Sequence, residues 1–419
     1  MGMQDHSCFS FMTGNLGQLQ TLKRFNIVAG DSWKMSFDGI FRLPPLRTFM
    51  ARDVQVDVFC FFNPHRHIYG QDWIDFINDG EDETVTFPAS AAAANVGYLG
   101  GPLRSGPLPL YMVSGYAKIW NRYFRSRTDT ALMSETLPIS AANERIWGRK
   151  CARLPSLWST PINSTLTDSD REVVVSGGTF DIVNLSRTRA SYQTKSEREW
   201  EAPYYNDVLR KTFGGSTNTD ADERPTVLYR AKAWLSGHDV DGTSGDSLGD
   251  YAGKSFGRLK FDVPRRYFGE HGQVWVMALL RFPTVHATEA HYLDLKTDWS
   301  YLEMAGDPEL ISNEPPFVQQ ANEFFSNGGA NNLGTYPYAQ WMRAEPSVVG
   351  SALQQQQIYP YLNTVPTSFD TAFYSTPDEY DFVFKDTSFG NWALQAAMYC
   401  DVDRRGPGPR ASVFAGVRD

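Results

Sequence analysis

Along much of the chain, apolar and polar residues alternate with a period of two. Val54, Val56, Val58 and Cys60 interleave with Asp53, Gln55, Asp57 and Phe59, the pattern of a strand with one buried face. Residues 35–43, 172–175, 180–185 and 226–235 carry the same signal. Residues 273–282 are almost continuously apolar, as a strand covered on both faces would be, and 392–399 predict a last strand. Helical spacing is rarer. Residues 72–79 set Trp73, Phe76 and Ile77 on one face, and 111–125 space Met112, Tyr116, Ile119 and Tyr123 by threes and fours, with Trp120 beside them. A third helix is expected over 197–211, ended by Gly214-Gly215.

Between these segments lie long stretches without periodicity: 80–106, rich in Gly, Ala, Ser and Pro, then 128–143, 242–257 and 314–335. Ordered loops of this length are uncommon and usually functional. A β-rich body with very long excursions is the layout of a viral jelly roll, in which two packed sheets carry interstrand loops that grow into surface features. No internal repeat interrupts it, so the expectation is a single domain over 1–419 with insertions at 80–145, 187–222 and 284–380.

Composition then narrows the function. Aromatics reach 14%, as suits a chain that buries large surfaces between subunits. The net charge of −9 argues against a protein that binds nucleic acid unaided, which would carry a basic excess. If this chain encloses DNA, another basic molecule must neutralise most of the phosphate. Its own cations favour Arg over Lys, 28 to 11, and Arg suits interfaces and phosphates through its planar fork. The cysteines, Cys8, Cys60, Cys151 and Cys400, form no CxxC pair, which points to free thiols in a reducing compartment. No run of about 18 apolar residues predicts a membrane span, and Met1 to Ser10 lacks the apolar core of a signal peptide.

Several motifs imitate chemistry. Gly245-Asp-Ser-Leu248 resembles the nucleophile block of a lipase and esterase family. Such a serine needs a downstream Asp-x-x-His to deprotonate it, yet Phe268, Pro283 and Thr288 stand three residues before His271, His286 and His291. Gly249 to Ser255 approximates a phosphate-binding loop but has three residues between its glycines where four are required. No enzyme is expected. Asp239, Asp241 and Asp246 are the candidate ligands of a structural calcium, but no bidentate Glu closes the loop. A solvated turn is therefore the expectation, with no cofactor. His65 and His67 could face one side of a strand, although Asn63-Pro64 predicts a turn there.

Cations mixed with aromatics are the pattern for single-stranded DNA, because bases stack on rings while cations hold phosphates. Trp120, Arg122, Tyr123, Phe124, Arg125 and Arg127 form one group. Arg145, Trp147, Arg149, Lys150 and Arg153 form a second, and Arg258, Lys260, Arg265, Arg266 and Tyr267 a third. The competing reading of each is a subunit interface. Of the three groups, the first and third are the DNA-contact candidates.

An ordered set of segments is more specific: Asn26-Ile-Val-Ala-Gly-Asp-Ser32, Leu43-Pro-Pro-Leu-Arg47, Val56-Asp-Val-Phe59 and Pro64-His-Arg-His-Ile-Tyr-Gly70, then Trp234-Leu-Ser-Gly-His-Asp-Val-Asp-Gly242, Val263-Pro-Arg-Arg266, Glu270-His-Gly272, Leu280-Arg-Phe-Pro283 and Ala305-Gly-Asp-Pro308. In this order they resemble the major capsid (F) proteins of the Microviridae, the small tailless single-stranded-DNA phages. The resemblance runs from about Phe25 onward and fades in 80–106, 128–143 and 314–335.

It implies an eight-stranded antiparallel jelly roll with large insertions and a few short helices. Its copies would build the simplest icosahedral shell, with pentamers at the fivefold axes, around a circular single-stranded DNA genome. The implied partners are a spike protein, a small basic DNA-binding peptide, internal and external scaffolding proteins and host lipopolysaccharide. The implied place is the virion, assembled in the bacterial cytoplasm. The rival reading is a carbohydrate-binding β-sandwich, a lectin or adhesin, since jelly rolls serve both. A lectin should gather its aromatics at one site, whereas here they are spread along the chain.

Overall fold

The computed structural model describes residues 3–46, 53–79, 97–100, 108–124, 132–135, 224–238, 254–281 and 384–404 except 389, with short pieces inside 89–90, 186–187, 285–301, 318–319, 332–334, 345–348 and 361–362. Nine strands make the body: β1 (Met3–Asp5), β2 (Cys8–Gly14), β3 (Leu19–Ile27), β4 (Asp31–Arg42), β5 (Val54–Pro64), β6 (Thr226–His238), β7 (Lys254–Tyr267), β8 (Gly272–Arg281) and β9 (Trp392–Arg404).

β1 and β2 lie in series along one edge of β9, with Met3 opposite Asp403 and Cys8 opposite Met398. They act as one interrupted strand and leave eight strand positions. Four of these run β2-β9-β4-β7 and four run β3-β8-β5-β6, all antiparallel. The two sheets join where Ser236–His238 of β6 pair with Lys254–Phe256 of β7. On the far side, Ser10 Oγ of β2 donates to the Leu22 carbonyl of β3 at 3.1 Å. This is the jelly roll that the sequence predicts.

Period-two patterning explains the core between the sheets. Trp33, Met35, Phe37 and Phe41 of β4 point inward, and so do Trp392, Leu394, Ala396, Met398, Cys400 and Val402 of β9. Their neighbours Lys34, Arg42, Ala393, Gln395 and Tyr399 face outward. Phe37 stacks on Phe261 of β7 with centroids 4.9 Å apart, and Phe261 stacks on Tyr229 of β6 at 5.3 Å.

β5 and β8 are buried at every position. For β8 this is the predicted two-sided burial. For β5 it corrects the expectation of a single buried face. Val54, Val56, Val58 and Cys60 fill the inner core, while Phe59 and Phe61 join a second cluster with Trp275, Met277 and Leu279 of β8. That cluster is closed by helix α3 (Leu110–Ile119), through Val113, Tyr116, Ala117 and Ile119, and by a π-helical turn, Trp120–Phe124. The Tyr116 hydroxyl donates to the Leu19 carbonyl at 2.7 Å. Gly115 lets α3 approach this closely, since a Cβ there would sit 2.6 Å from the Trp275 ring. Helices α1 (His65–Tyr69) and α2 (Gln71–Asp79) follow β5 directly.

The predicted strands over 35–43, 226–235, 273–282 and 392–399 and the helices over 72–79 and 111–125 all appear, with ends shifted by one to five residues or, for the second helix, a π turn as its last part. β1, β2, β3 and β7 were not predicted. In β7, Leu259, Phe261 and Val263 alternate with Arg258, Lys260 and Asp262, so its cations hid a strand period. Lys254 and Ser255 open that strand, which removes the phosphate-loop reading of 249–255. His65 and His67 lie on α1, where residues two apart do not share a face; the chain leaves the strand at Pro64, as Asn63-Pro64 predicts, but into a helix. The calls at 172–175, 180–185 and 197–211, Asp239, Asp241, Asp246 and Ser247 lie outside the described residues. So do most of the expected insertions, which fall between β5 and β6 and between β8 and β9.

A buried ion pair lies inside the doubly covered sheet. Asp57 is fully buried, and its carboxylate accepts from Arg281 at 2.8 Å, Arg230 at 3.0 Å and Gln55 Nε2 at 2.5 Å. Arg281 is itself buried, whereas Arg230 is half exposed. Breaking a buried pair leaves its partner's charge uncompensated, which costs about 3–5 kcal/mol, while an exposed partner is worth about 1 kcal/mol or less. Asp57→Asn is therefore expected to lower subunit stability by about 3 kcal/mol in denaturant unfolding, and Arg230→Gln by about 1 kcal/mol or less. Equal losses for the two variants would contradict this account of Asp57.

Candidate nucleic-acid cleft

The turn from β5 into α1, the start of β6 and the β7–β8 turn border a cleft of about 640 Å³. Pro64 ends the all-buried strand, since it has no N–H to donate to a further ladder bond. It opens α1 with φ −65° and so places Arg66 and His67 on the cleft wall. Arg66 grips Glu270 of the β7–β8 turn through two bonds of 3.2 Å. The His65 amide donates to the His271 carbonyl at 3.0 Å, and Phe62 packs on Phe268 at 4.4 Å. Turn and helix are thereby fixed to each other.

Sequence-distant candidates converge here. Tyr123 of the first basic-aromatic group and Arg266 and Tyr267 of the third line the cleft, together with Arg224. Tyr123 is held by its ring against Phe61 at 5.0 Å and by its hydroxyl on the Pro225 carbonyl. Tyr267 is 64% exposed, so its ring face is open to a stacking partner. Arg265 instead turns away, donating to the Ser32 carbonyl at 3.3 Å. Among the described residues that line the cleft, three guanidinium groups stand against one carboxylate, with rings beside the cations. That combination can hold phosphate and stack bases.

The other candidates part company. Trp120 is fully buried in the cluster beneath α3, so it is a core residue and not a stacking platform, which corrects its assignment. Arg122 is half-buried. Arg258 and Lys260 lie on the outer face of β7, away from the cleft. Arg258 forms a bidentate pair with Asp38, one arm at 2.8 Å. This pairing holds the Asp38 carboxyl below its usual range, chiefly through the Arg258 hydrogen bond, and raises Arg258. Arg125, Arg127 and the group from Arg145 to Arg153 lie outside the described residues. Sequence reasoning missed Arg66, Arg224 and Glu270. Arg66 and Glu270 fall within two segments of the ordered motif set, 64–70 and 270–272, whereas Arg224 falls in none.

No cluster of metal-ligating side chains occurs among the described residues. Cys60 and Cys400 are buried free thiols and Cys8 is a half-buried one. Burial pushes the Cys400 thiol up to about 12 and raises Cys60 and Cys8, which keeps them from acting as thiolate nucleophiles.

Behind the cleft wall, His65 packs among Trp73 at 4.9 Å, Tyr111 at 5.7 Å and Tyr69 at 6.4 Å. Its Nδ1 is buried without a hydrogen-bond partner. Burial first, and His271 second, push its pKa down to about 4. In the unfolded chain the same imidazole titrates near 6.5 and binds the extra proton between the two values. Stability therefore rises with pH from about 4 to about 6.5 and gains nothing from this group above that. We expect wild-type stability to fall by roughly 2–3 kcal/mol across that window on acidification, with a smaller fall in His65→Phe. An unchanged pH dependence in the variant would remove His65 as the cause.

A family profile described as capsid protein (F protein) matches residues 2–179 and 173–413. The chain is 33% identical over 414 residues to capsid protein F of Escherichia phage G4, covering 98% of this chain and 96% of that protein. It is 33% identical over 427 residues to capsid protein F of Enterobacteria phage phiK, and 32% identical over 425 residues to that of Escherichia phage alpha3, with the same coverage in both cases.

Proposed function

The chain belongs to the capsid protein (F protein) family, and from that premise we propose that its copies close into an icosahedral shell around a circular single-stranded DNA genome, with the cleft of Tyr123, Arg224, Arg266 and Tyr267 turned toward the DNA. It is a major capsid protein, a structural subunit of a virion. The observation that carries the reading is the near full-length match to capsid proteins on a jelly-roll strand order. Its work is assembly, not catalysis. One rigid body offers distinct patches that meet around symmetry axes, and many weak contacts add up to a stable shell. The family assignment removes the lectin reading of the same fold.

The genome contact rests on charge and shape. The chain's net charge of −9 opposes DNA as a whole, so attraction has to be local, and the cleft supplies it. Arg122, Arg125 and Arg127 extend the same basic stretch from Tyr123. A small basic peptide would neutralise the remaining phosphate. A spike protein, internal and external scaffolding proteins and host lipopolysaccharide complete the proposed partners, with assembly in the host cytoplasm.

Arg224→Gln with Arg266→Gln tests the cleft. Shells are expected to form in normal yield but with DNA content several-fold lower. In vitro binding of single-stranded DNA should have a salt slope smaller by roughly one to two units, at about 0.7 per lost phosphate contact. Failure of the shell itself, with the subunit still folded, would assign these arginines to a subunit interface instead.

A further inference from the structure

The face of the β3-β8-β5 sheet that α3 covers is not apolar throughout. Strand register sets Asn26, Gln273 and Asn63 in one row across the three strands, and Arg24, Trp275 and Phe61 in the next. Asn63 and Trp275 are fully buried and Gln273 nearly so. Yet Asn63 Nδ2 and Oδ1, Trp275 Nε1 and Gln273 Oε1 make no hydrogen bond, and neither does the buried Nη1 of Arg24. A buried polar atom left unpaired costs free energy, and the usual remedy is a bound water or ion.

These atoms gather at one place. A Cβ on Gly115 would sit 3.4 Å from Asn63 Nδ2 and 3.2 Å from Trp275 Cε2, the carbon that carries Nε1. Arg24 lies over the same indole, with Cζ 5.3 Å from the ring centre. Three donors, Arg24 Nη1, Trp275 Nε1 and Asn63 Nδ2, therefore surround a single ring beneath α3.

Charge decides what they hold. Among the described residues no carboxylate faces Arg24; burial pulls its pKa down, and Tyr111 works against that. A guanidinium does not escape burial by losing its proton. The indole satisfies its flat face, but the N–H groups in its plane still call for an acceptor, and a negative one meets the charge as well. Size narrows the choice. The helix packs so closely on Trp275 that Gly115 has no room for a methyl group, which favours a single atom over phosphate or sulfate. Access comes from the side. β3 is the last strand of its sheet, Arg24 is half-buried, and Asn26, which accepts from Gln273 Nε2 at 2.8 Å, is exposed.

We propose that Arg24, Trp275 and Asn63 bind a small monatomic anion of the chloride class beneath α3. The guanidinium and the two neutral donors hold the ion, and Asn63 Oδ1 and Gln273 Oε1 accept from a water that accompanies it. The ion neutralises a cation shut between sheet and helix, and so ties the cover to the sheet. The site is on the β3 side of the sheet, whereas the cleft opens at the start of β6, so it is independent of the DNA reading.

Bromide tests it. Crystals of the full-length protein, as particle or subunit, are soaked in bromide and measured at the bromine absorption edge. An anomalous peak is expected within hydrogen-bond reach of Arg24 Nη1, Trp275 Nε1 and Asn63 Nδ2. In solution, thermal unfolding is followed as chloride replaces gluconate at constant ionic strength, so that screening does not change. The melting temperature is expected to rise with chloride and to level off, as for a ligand bound by the folded state alone. Arg24→Met, which keeps the length of the stem, should lose both the peak and the rise. If that variant does not fold, Trp275→Phe removes one donor and should weaken the chloride response several-fold. Water density without an anomalous signal, and a melting temperature indifferent to the anion, would overturn the proposal. A peak unaccompanied by any chloride response would mean an adventitious ion only, which overturns it too. A response that persists in folded Arg24→Met, or a carboxylate of the chain or of a neighbouring copy seated on Arg24 Nη1, would place the counter-charge elsewhere and end it as well.

Discussion

The structure depends on the burial of β5 and β8 from both sides. A jelly-roll strand normally faces the core with every second residue, and these two are apolar on the other face as well. Phe59, Phe61, Trp275, Met277 and Leu279 need a cover, and α3 with the turn that ends it supplies one. The cover comes from the chain between β5 and β6, which has to leave the barrel at Pro64, cross over the sheet and return at Thr226. That path places Arg66 at the departure, Tyr123 at the end of the cover and Arg224 at the return. The cleft is formed where the three meet the β7–β8 turn. A packing requirement in the core therefore builds the cationic site at the surface.

The same double burial explains the cost carried by Asp57. A carboxylate in the middle of a dry layer is tolerable only if it is saturated with hydrogen bonds. Gln55, Arg230 and Arg281 saturate it from three neighbouring strand positions. The arrangement ties the registers of β6, β5 and β8 to one another beside Asp57. A slip of one residue would turn Asp57 into the inner core, where no cation waits.

Legibility in the sequence followed how cleanly each element showed its period. β4, β6 and β9 were readable because polar or small residues regularly separate their inward side chains, and β8 because its run is almost continuously apolar. β7 was not, since Arg258, Lys260, Arg265 and Arg266 read more readily as a nucleic-acid patch than as the solvent side of a strand. β3 hides Lys23 and Arg24 within an apolar run, and Arg24 is accommodated by lying over the Trp275 ring at 5.3 Å. The family was legible from an ordered set of short motifs, none decisive alone. The cleft was half legible. Tyr123, Arg266 and Tyr267 carry a recognisable composition, but composition could not tell them from Trp120, whose neighbours in space belong to the core. Nor could it supply Arg66 and Arg224, which reach the site only through the fold.

Charge distinguishes the cleft from the outer face of the β2-β9-β4-β7 sheet. Among the described residues of the cleft, cations outnumber the carboxylate of Glu270. On the outer sheet face, Lys34 is paired with Asp401 and Arg258 with Asp38. An anionic subunit can thus hold a polyanion at one place. The most direct test of this account is a cryo-electron-microscopy reconstruction of native particles, with subunit stoichiometry from mass spectrometry. The account predicts this chain at one copy per icosahedral asymmetric unit, with Arg66, Arg224, Arg266 and Tyr267 facing the interior against nucleic-acid density. A shell in which that cleft opens to the outside, or a chain found only as a free subunit with no particle, would contradict it.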